Sequence, residues 1–315
     1  MQRYQAQEPH MGTNFHIALY SDETATANRA LELAMAEIGR IDRALSNFLS
    51  DSELSLLCRS APHGTPVAAS EHLLTVLKTA DEISRKSDGA FDATIGPVTK
   101  LWRRASRQHK LPDSEQLREA LELVDYRNVF IDVKHHKVAL AKAGIQLDLG
   151  GIAKGYAADR ALLVLRQQGI QVGLVNGGGG LATMGTPPGE LGWKVTLAPL
   201  APGGPAPSIT VQSAGIATSG DKWQFAEIDG KRYSHIIDPR TGLGLTERRA
   251  VSVIARNGML ADAWATALSV LDPEAAINLA NQEPDVQALI SLLDAASGKT
   301  RQLRTREFQQ WLTER

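Results

Sequence analysis

The chain has 315 residues, with 34 Lys and Arg against 35 Asp and Glu, a formal net charge of −1. That balance leaves no basic field for nucleic acid or an anionic membrane surface. Apolar residues at 43% and charged residues at 22% describe a soluble globular protein and exclude a disordered one. The lone Cys58 excludes an intramolecular disulfide, a thiolate metal cluster and a CxxC redox pair. The longest unbroken apolar run, Ala161 to Leu165, is far short of the roughly 20 residues that span a bilayer. The opening MQRYQAQEPH has no apolar segment of the kind an export signal needs.

The first expected element is a strand, Asn14 to Leu19. Leu31, Ala34, Ile38, Ile41 and Leu45 then recur at three- and four-residue spacing, which predicts a helix. A second helix starts at an N-capping Ser70, places Leu73, Leu74, Leu77, Ala80 and Ile83 on one face and stops near Gly89. Residues 128–141 read as a hairpin. Residues 148–169 read as a glycine-marked turn into a helix ending at Gly169, and 171–176 as a strand running into four glycines, 177–180. Strands are expected at 193–198, 208–213, 223–228 and 231–237, the last two joined by the Asp229-Gly230 hairpin signal. The proline- and glycine-rich stretch 198–207 between them reads as a surface loop. A strand at 250–255, helices near 259–271 and 273–282, a strand at 287–293 and a charged tail close the chain. Helices and strands mix without a strict βα repeat, so the expected class is α+β with largely antiparallel pairing.

Chemistry is concentrated in a few clusters. Within 259–271 every residue is apolar or alanine except Asp262, Thr266 and Ser269, which form one polar stripe on an otherwise buried helix. An ionised carboxylate there needs compensation. A hard cation such as Mg²⁺ with oxygen ligands supplies it; so does a backbone donor or an arginine. Asp148-Leu149-Gly150-Gly151, just before a helix, offers free N–H groups to an anion such as phosphate, or is an ordinary tight turn. Gly177, Gly179 and Ala182 satisfy a loose dinucleotide pattern, but Pro187-Pro188 arrive where a helix must follow, so that reading is rejected. His235 precedes an Asp238-Pro239-Arg240-Thr241-Gly242 turn and suits either proton transfer near neutral pH or a structural hydrogen bond. Met11 and Phe48 suit packing on an aromatic ligand or in a core. The eight histidines lack the paired spacing of a zinc site.

Taken in order, MGT (11–13), SNFLSDSELS (46–55), GAFDATIGPVTKLW (89–102), DLGGIAKGYAAD (148–159), ATSGD (217–221), YSHIIDPRTG (233–242) and ADAWAT (261–266) resemble the ApbE family, the FAD:protein FMN transferases. The resemblance covers an ApbE-like domain over 10–283, with 284–315, a strand and a charged tail, completing the same unit. It implies a Mg²⁺-dependent enzyme that cleaves FAD, releases AMP and attaches FMN by a phosphoester to a threonine. That threonine belongs to an acceptor flavoprotein with a Ser/Thr-Gly-Ala-Thr-like segment. By the same resemblance, Asp262, Thr266 and the Ala153 carbonyl hold the metal, and Met11 and Phe48 lie beside the isoalloxazine. Ala90, Phe91, Asp92, Gly150, Gly151 and Tyr156 also contact FAD, and His235 is both a contact and the base for the incoming hydroxyl. Such chemistry needs positioning and charge stabilisation above all.

Three features depart from the family pattern. Phe48 stands where the family often has tyrosine, Gly179-Gly180-Leu181 lacks the usual Asp or Asn, and the family's leader and lipid-bearing cysteine do not appear. The compartment is therefore left open. The same site would equally serve an FAD pyrophosphatase that hands FMN to water, or a flavin-binding protein without catalysis.

Overall fold

Eight strands form the central sheet, in the spatial order Gln2–His10, Thr13–Ser21, Val172–Gly177, Gly180–Met184, Gly215–Gly220, Arg249–Ala255, Val286–Leu293 and Thr300–Arg304. Every neighbouring pair is antiparallel, and eight helices accompany the strands, so the α+β expectation holds. The structure, a computed structural model, describes residues 1–60, 64–200, 206–222, 224–294 and 297–313.

The period of two along the strands separates two cores. Val175, Ala217, Val251 and Val253 point to one face, which the helices Thr24–Leu45, Ala153–Gln167 and Gly258–Val270 cover. Val172, Ile216 and Ile254 point to the other, where they meet Trp193, Val195, Ile209 and Phe308 from a small hairpin and the chain's last helical turn. A third cluster, Trp102 with Ala226, Ile228 and Tyr233, joins the Gly96–Gln108 helix to the Phe225–Ile228/Lys231–Ser234 hairpin.

The helix from Gly258 to Val270 is the axis of the molecule. Ten of its residues are buried, Asp262 and Ser269 among them. Asn257 caps its N-terminus through Oδ1 and the Leu260 N–H, at 2.9 Å. Asp159, from the neighbouring helix, accepts from the next two free donors, Gly258 N at 2.7 Å and Met259 N at 2.8 Å. At the far end the Arg249 guanidinium donates to the carbonyls of Ser269 and Leu271, where a cation complements the helix dipole. Gly155 lets the two helices touch backbone to backbone: a Cβ there would lie 2.0 Å from Gly258 O.

Several elements differ from the sequence expectation. The first strand runs Thr13–Ser21 and is preceded by an edge strand, Gln2–His10, mostly exposed, with only Tyr4, Ala6 and His10 half-buried on one face. The first helix begins seven residues before Leu31, because Ala27 and Ala30 extend its buried stripe. Ser70 caps Glu71–Lys86 as expected, Oγ accepting from Leu73 N at 3.2 Å. Three helices were not anticipated: Glu53–Ser60, Gly96–Gln108 and Ser114–Leu121. The glycine run 177–180 is a two-residue hairpin turn, Gly178 and Gly179 both at positive φ, between two strands. Of the loop expected at 198–207, residues 201–205 lie outside the described residues, as does Trp223 at the start of the expected 223–228 strand. The strand expected to reach residue 237 ends at Ser234. Among the described residues no helix is long and apolar enough to cross a membrane.

Candidate functional site

A cleft of about 1200 Å³ opens where the 89–95 loop, the 148–151 turn, the glycine hairpin and the His235 segment meet. Met11, Phe48, Ala90, Phe91, Asp92, Gly150, Gly151, His235, Asp262 and Thr266 all line it. Residues separated by up to 255 positions, Met11 and Thr266, thus share one wall system.

Asp262 is 6% exposed. Its Oδ2 accepts from the Gly155 N–H at 3.1 Å and lies 3.7 Å from the Lys154 ammonium; no described residue donates to Oδ1. Among the described residues no arginine pairs with it. One turn on, Thr266 Oγ1 lies 3.1 Å from the Asp262 carbonyl and 3.5 Å from the Gly151 carbonyl. The Lys154 ammonium donates to the Gly150 carbonyl at 2.6 Å. A carboxylate, a hydroxyl and the Gly151 carbonyl therefore converge beside the Lys154 ammonium, and oxygen donors of this kind fit a hard cation. A Cβ on Gly151 would sit 2.8 Å from Thr266 Oγ1, so only glycine lets that turn approach the helix so closely. Among the described residues no three His, Cys, Asp or Glu side chains group together as a metal cluster.

His235 Nδ1 is 3.0 Å from the Gln224 carbonyl. A carbonyl only accepts, so Nδ1 carries the hydrogen and the Nε2 lone pair is left to take a proton. The ring is open to the cleft. Protein surrounds its remaining sides, and that desolvation holds its pKa below the ordinary histidine value, with Lys154 acting in the same direction. The neutral base thus predominates at neutral pH.

Phe48 is 75% exposed at the cleft mouth, with the Arg103 guanidinium 4.2 Å from its ring centroid. Arg103 is itself held by Asp148 at 3.2 Å. Met11, at positive φ in a hairpin turn, is fixed by its N–H donating to Asp42 Oδ2 at 2.9 Å.

Asp92, Tyr156 and Ala153 differ from the other expected contacts in burial or in their hydrogen bonds. Asp92 reaches the cleft wall, but its oxygens are committed to the loop: Oδ1 accepts from Thr94 N and Oγ1, and Oδ2 from Tyr126 N. Burial nevertheless pushes its pKa up. Tyr156 is not on the wall. It sits in the core, its hydroxyl 2.8 Å from His72 Nδ1, and burial pushes its pKa up to about 12. Ala153, the first residue of its helix, is buried and is not among the residues lining the cleft; the expectation for it concerns its carbonyl.

Lys154, Arg103 and Asp159 are the residues that sequence reasoning did not single out. Lys154 lies in the same motif as Gly150 and Gly151, so the motif alone was a signal for it. Asp159 is pushed up to about 6, burial being the main cause and the Asp262 charge a further one.

The ApbE family pattern matches residues 11–290. The FAD:protein FMN transferase of Klebsiella pneumoniae is 34% identical over 282 residues, 89% of this chain and 86% of that protein. The enzyme of the same name from Treponema pallidum is 34% identical over 311 residues, covering 93% and 86%. Among solved structures, the flavin transferase ApbE from Vibrio cholerae superposes with a TM-score of 0.89 at 26% identity, over 99% of both chains. The ApbE protein from Thermotoga maritima gives 0.88 at 30% identity, over 99% of this chain and 100% of that one.

Proposed function

The chain belongs to the ApbE family, and from that footing we propose that it is an FAD:protein FMN transferase. In this reading it cleaves FAD to AMP and joins FMN by a phosphoester to a threonine hydroxyl of an acceptor flavoprotein. The observation that carries the proposal is the meeting, in one cleft, of the Asp262–Thr266–Lys154 cluster with a histidine whose Nε2 is unprotonated.

Asp262 and Thr266 would hold a Mg²⁺ ion, with main-chain carbonyls of the 150–153 turn completing the protein's share. Such an ion neutralises charge on the diphosphate when bound. The chain's own residues do the rest. Lys154 brings a second positive charge to the phosphates, and Phe48 and Met11 offer apolar surface to the flavin ring. His235 Nε2 takes the proton from the threonine hydroxyl as its oxygen attacks the FMN phosphorus. The new P–O bond forms as the bond from that phosphorus to the AMP oxygen breaks, and AMP leaves.

The test is to incubate the protein with FAD, Mg²⁺ and a peptide carrying a Ser-Gly-Ala-Thr segment, reading AMP and peptide mass together. The expected result is one FMN added per AMP released, with turnover reduced by about 100-fold or more in Asp262→Ala. AMP with free FMN and an unchanged peptide would instead establish hydrolysis, and intact FAD a binding protein. An Asp262→Ala protein with full Mg²⁺-dependent turnover would refute the metal assignment.

A further inference from the structure

The Gly96–Gln108 helix carries a feature that the transfer chemistry does not use. Lys100, Arg103, Arg104 and Arg107 stand at i, i+3, i+4 and i+7, so they share one face. Lys100, Arg104 and Arg107 are exposed, and Lys110 continues the positive charge beyond the helix end. Arg103 is engaged by Asp148 and Phe48. Lys100, Arg104, Arg107 and Lys110, by contrast, form no ion pair with any described residue. Arg85, Arg118, Arg127 and Arg256 each lie against a carboxylate, whereas Arg29, Arg43 and Arg59 are exposed and pair with no carboxylate of a described residue; what sets this helix apart is that three such cations share one face. The nearest helix, Ser114–Leu121, satisfies its Glu115 and the following Glu122 with its own Arg118. In a chain of net charge −1, the stripe is a local choice of the sequence and not a consequence of overall composition.

Its position gives the stripe a use. Thr99, Arg103, Ser106 and Arg107 line the cleft, so the helix forms one bank of the opening. A hydroxyl on another protein reaches the cleft only if the flanking chain of that protein passes over such a bank. We propose that the Lys100–Arg104–Arg107 face is the docking surface for an acidic segment of the acceptor protein, next to the residue that enters the cleft. This rests on the transferase reading. Opposite charge at an interface rim steers encounter and fixes register, and its reach is about 10 Å at 0.1 M salt.

The probes are two fluorescein-labelled peptides with the same Ser-Gly-Ala-Thr centre, flanked by glutamates in one and glutamines in the other. Binding is read by anisotropy to the FAD-loaded protein in EDTA, so that no divalent ion supports turnover. Several exposed charge pairs together predict about tenfold tighter binding of the glutamate peptide at low salt. That preference should vanish at 0.5 M NaCl and in Lys100→Glu/Arg104→Glu, with Lys100→Gln/Arg104→Gln intermediate. FAD affinity and thermal stability should be unchanged in both variants, since neither residue lines the cleft. Equal binding of the two peptides, or a preference that survives the charge reversal, overturns the proposal. Weaker FAD binding in the variants also overturns it, because the stripe would then serve the dinucleotide's own phosphates. Adding Mg²⁺ separates the two readings. A glutamate peptide that binds selectively but gains no FMN mass refutes the transferase and leaves the docking face standing.

Discussion

Gly155→Ala tests the contact that holds the two halves of the site together. A Cβ at 155 would lie 2.0 Å from Gly258 O, 2.4 Å from Gly258 C and 2.8 Å from Met259 N. All three are backbone atoms, so no rotamer change relieves the clash. Non-bonded contacts settle near 3.5 Å, so one helix must retreat by more than about an ångström. Overpacking a closed core costs about 1–3 kcal/mol, and a rigid backbone partner puts this case at the upper end. Alanine's better helix propensity recovers about 1 kcal/mol, leaving a net loss of roughly 2 kcal/mol. With an unfolding entropy of about 2.1 cal/mol/K per residue over 315 residues, Tm should fall by about 3 °C. The retreat also draws Gly155 N away from Asp262 Oδ2, now 3.1 Å away, and Gly258 N from Asp159 Oδ1, now at 2.7 Å. Turnover should therefore drop even at temperatures far below both melting points. Thermal unfolding by circular dichroism and AMP release at 20 °C read the two effects separately. Gly12→Ala is the stability control, because nothing lies within 4 Å of its Cβ and only its positive φ is strained, at about 1–2 kcal/mol. A Gly155→Ala protein with wild-type Tm and wild-type turnover would show that the helix contact is not what sets the site.

The pH profile should reflect His235. Its folded pKa is lowered, so the base form survives to more acidic pH than for a free histidine. The acid limb of kcat/KM should then fall below pH 6.5, and His235→Gln should remove that limb along with most of the rate. Asp159 works the other way on stability. Its folded pKa is raised from 3.8 to about 6, so its contribution is fullest below pH 3.8 and is lost as pH rises through about 6. The stability of wild type relative to Asp159→Asn, measured by urea unfolding, should accordingly shrink between pH 4 and pH 6, and a gap that widens over that range would contradict the assignment. Phe48→Ala should leave Tm unchanged, since the ring is 75% exposed, and raise KM for FAD by roughly tenfold through lost stacking. Phe48→Tyr should keep wild-type KM; an unchanged KM in the alanine variant would remove Phe48 from the flavin site.

How much of this was legible depended on whether the signal was local. The Asp262–Thr266 stripe stood out because the rest of its helix is apolar, and Ser70 because its cap is a one-turn interaction. The Gln2–His10 strand gave a weak signal, since an edge strand exposed on most of its length offers only Tyr4 and Ala6 as an apolar alternation. The Gly96–Gln108 helix did leave a trace in Val98, Trp102 and Ala105, buried at i, i+4 and i+7, but its polar residues diluted it. Tyr156 shows how one motif divides between two faces of a helix. It lies two residues from Lys154, roughly 200° around the helix, so when Lys154 faces the cleft Tyr156 faces the core. Asp92 likewise carried its own warning, because Asp-x-Thr is the spacing of a side chain that bonds its own loop.

On the proposed reading, the sparse donor set would account for a site built at a helix crossing and not from a cluster of acids. Mg²⁺ is usually held by one or two carboxylates together with substrate phosphates, and a single buried aspartate beside a hydroxyl would be the protein's half of such an arrangement. A second carboxylate there would repel an approaching diphosphate, whereas Lys154, 3.7 Å from Asp262, would attract it.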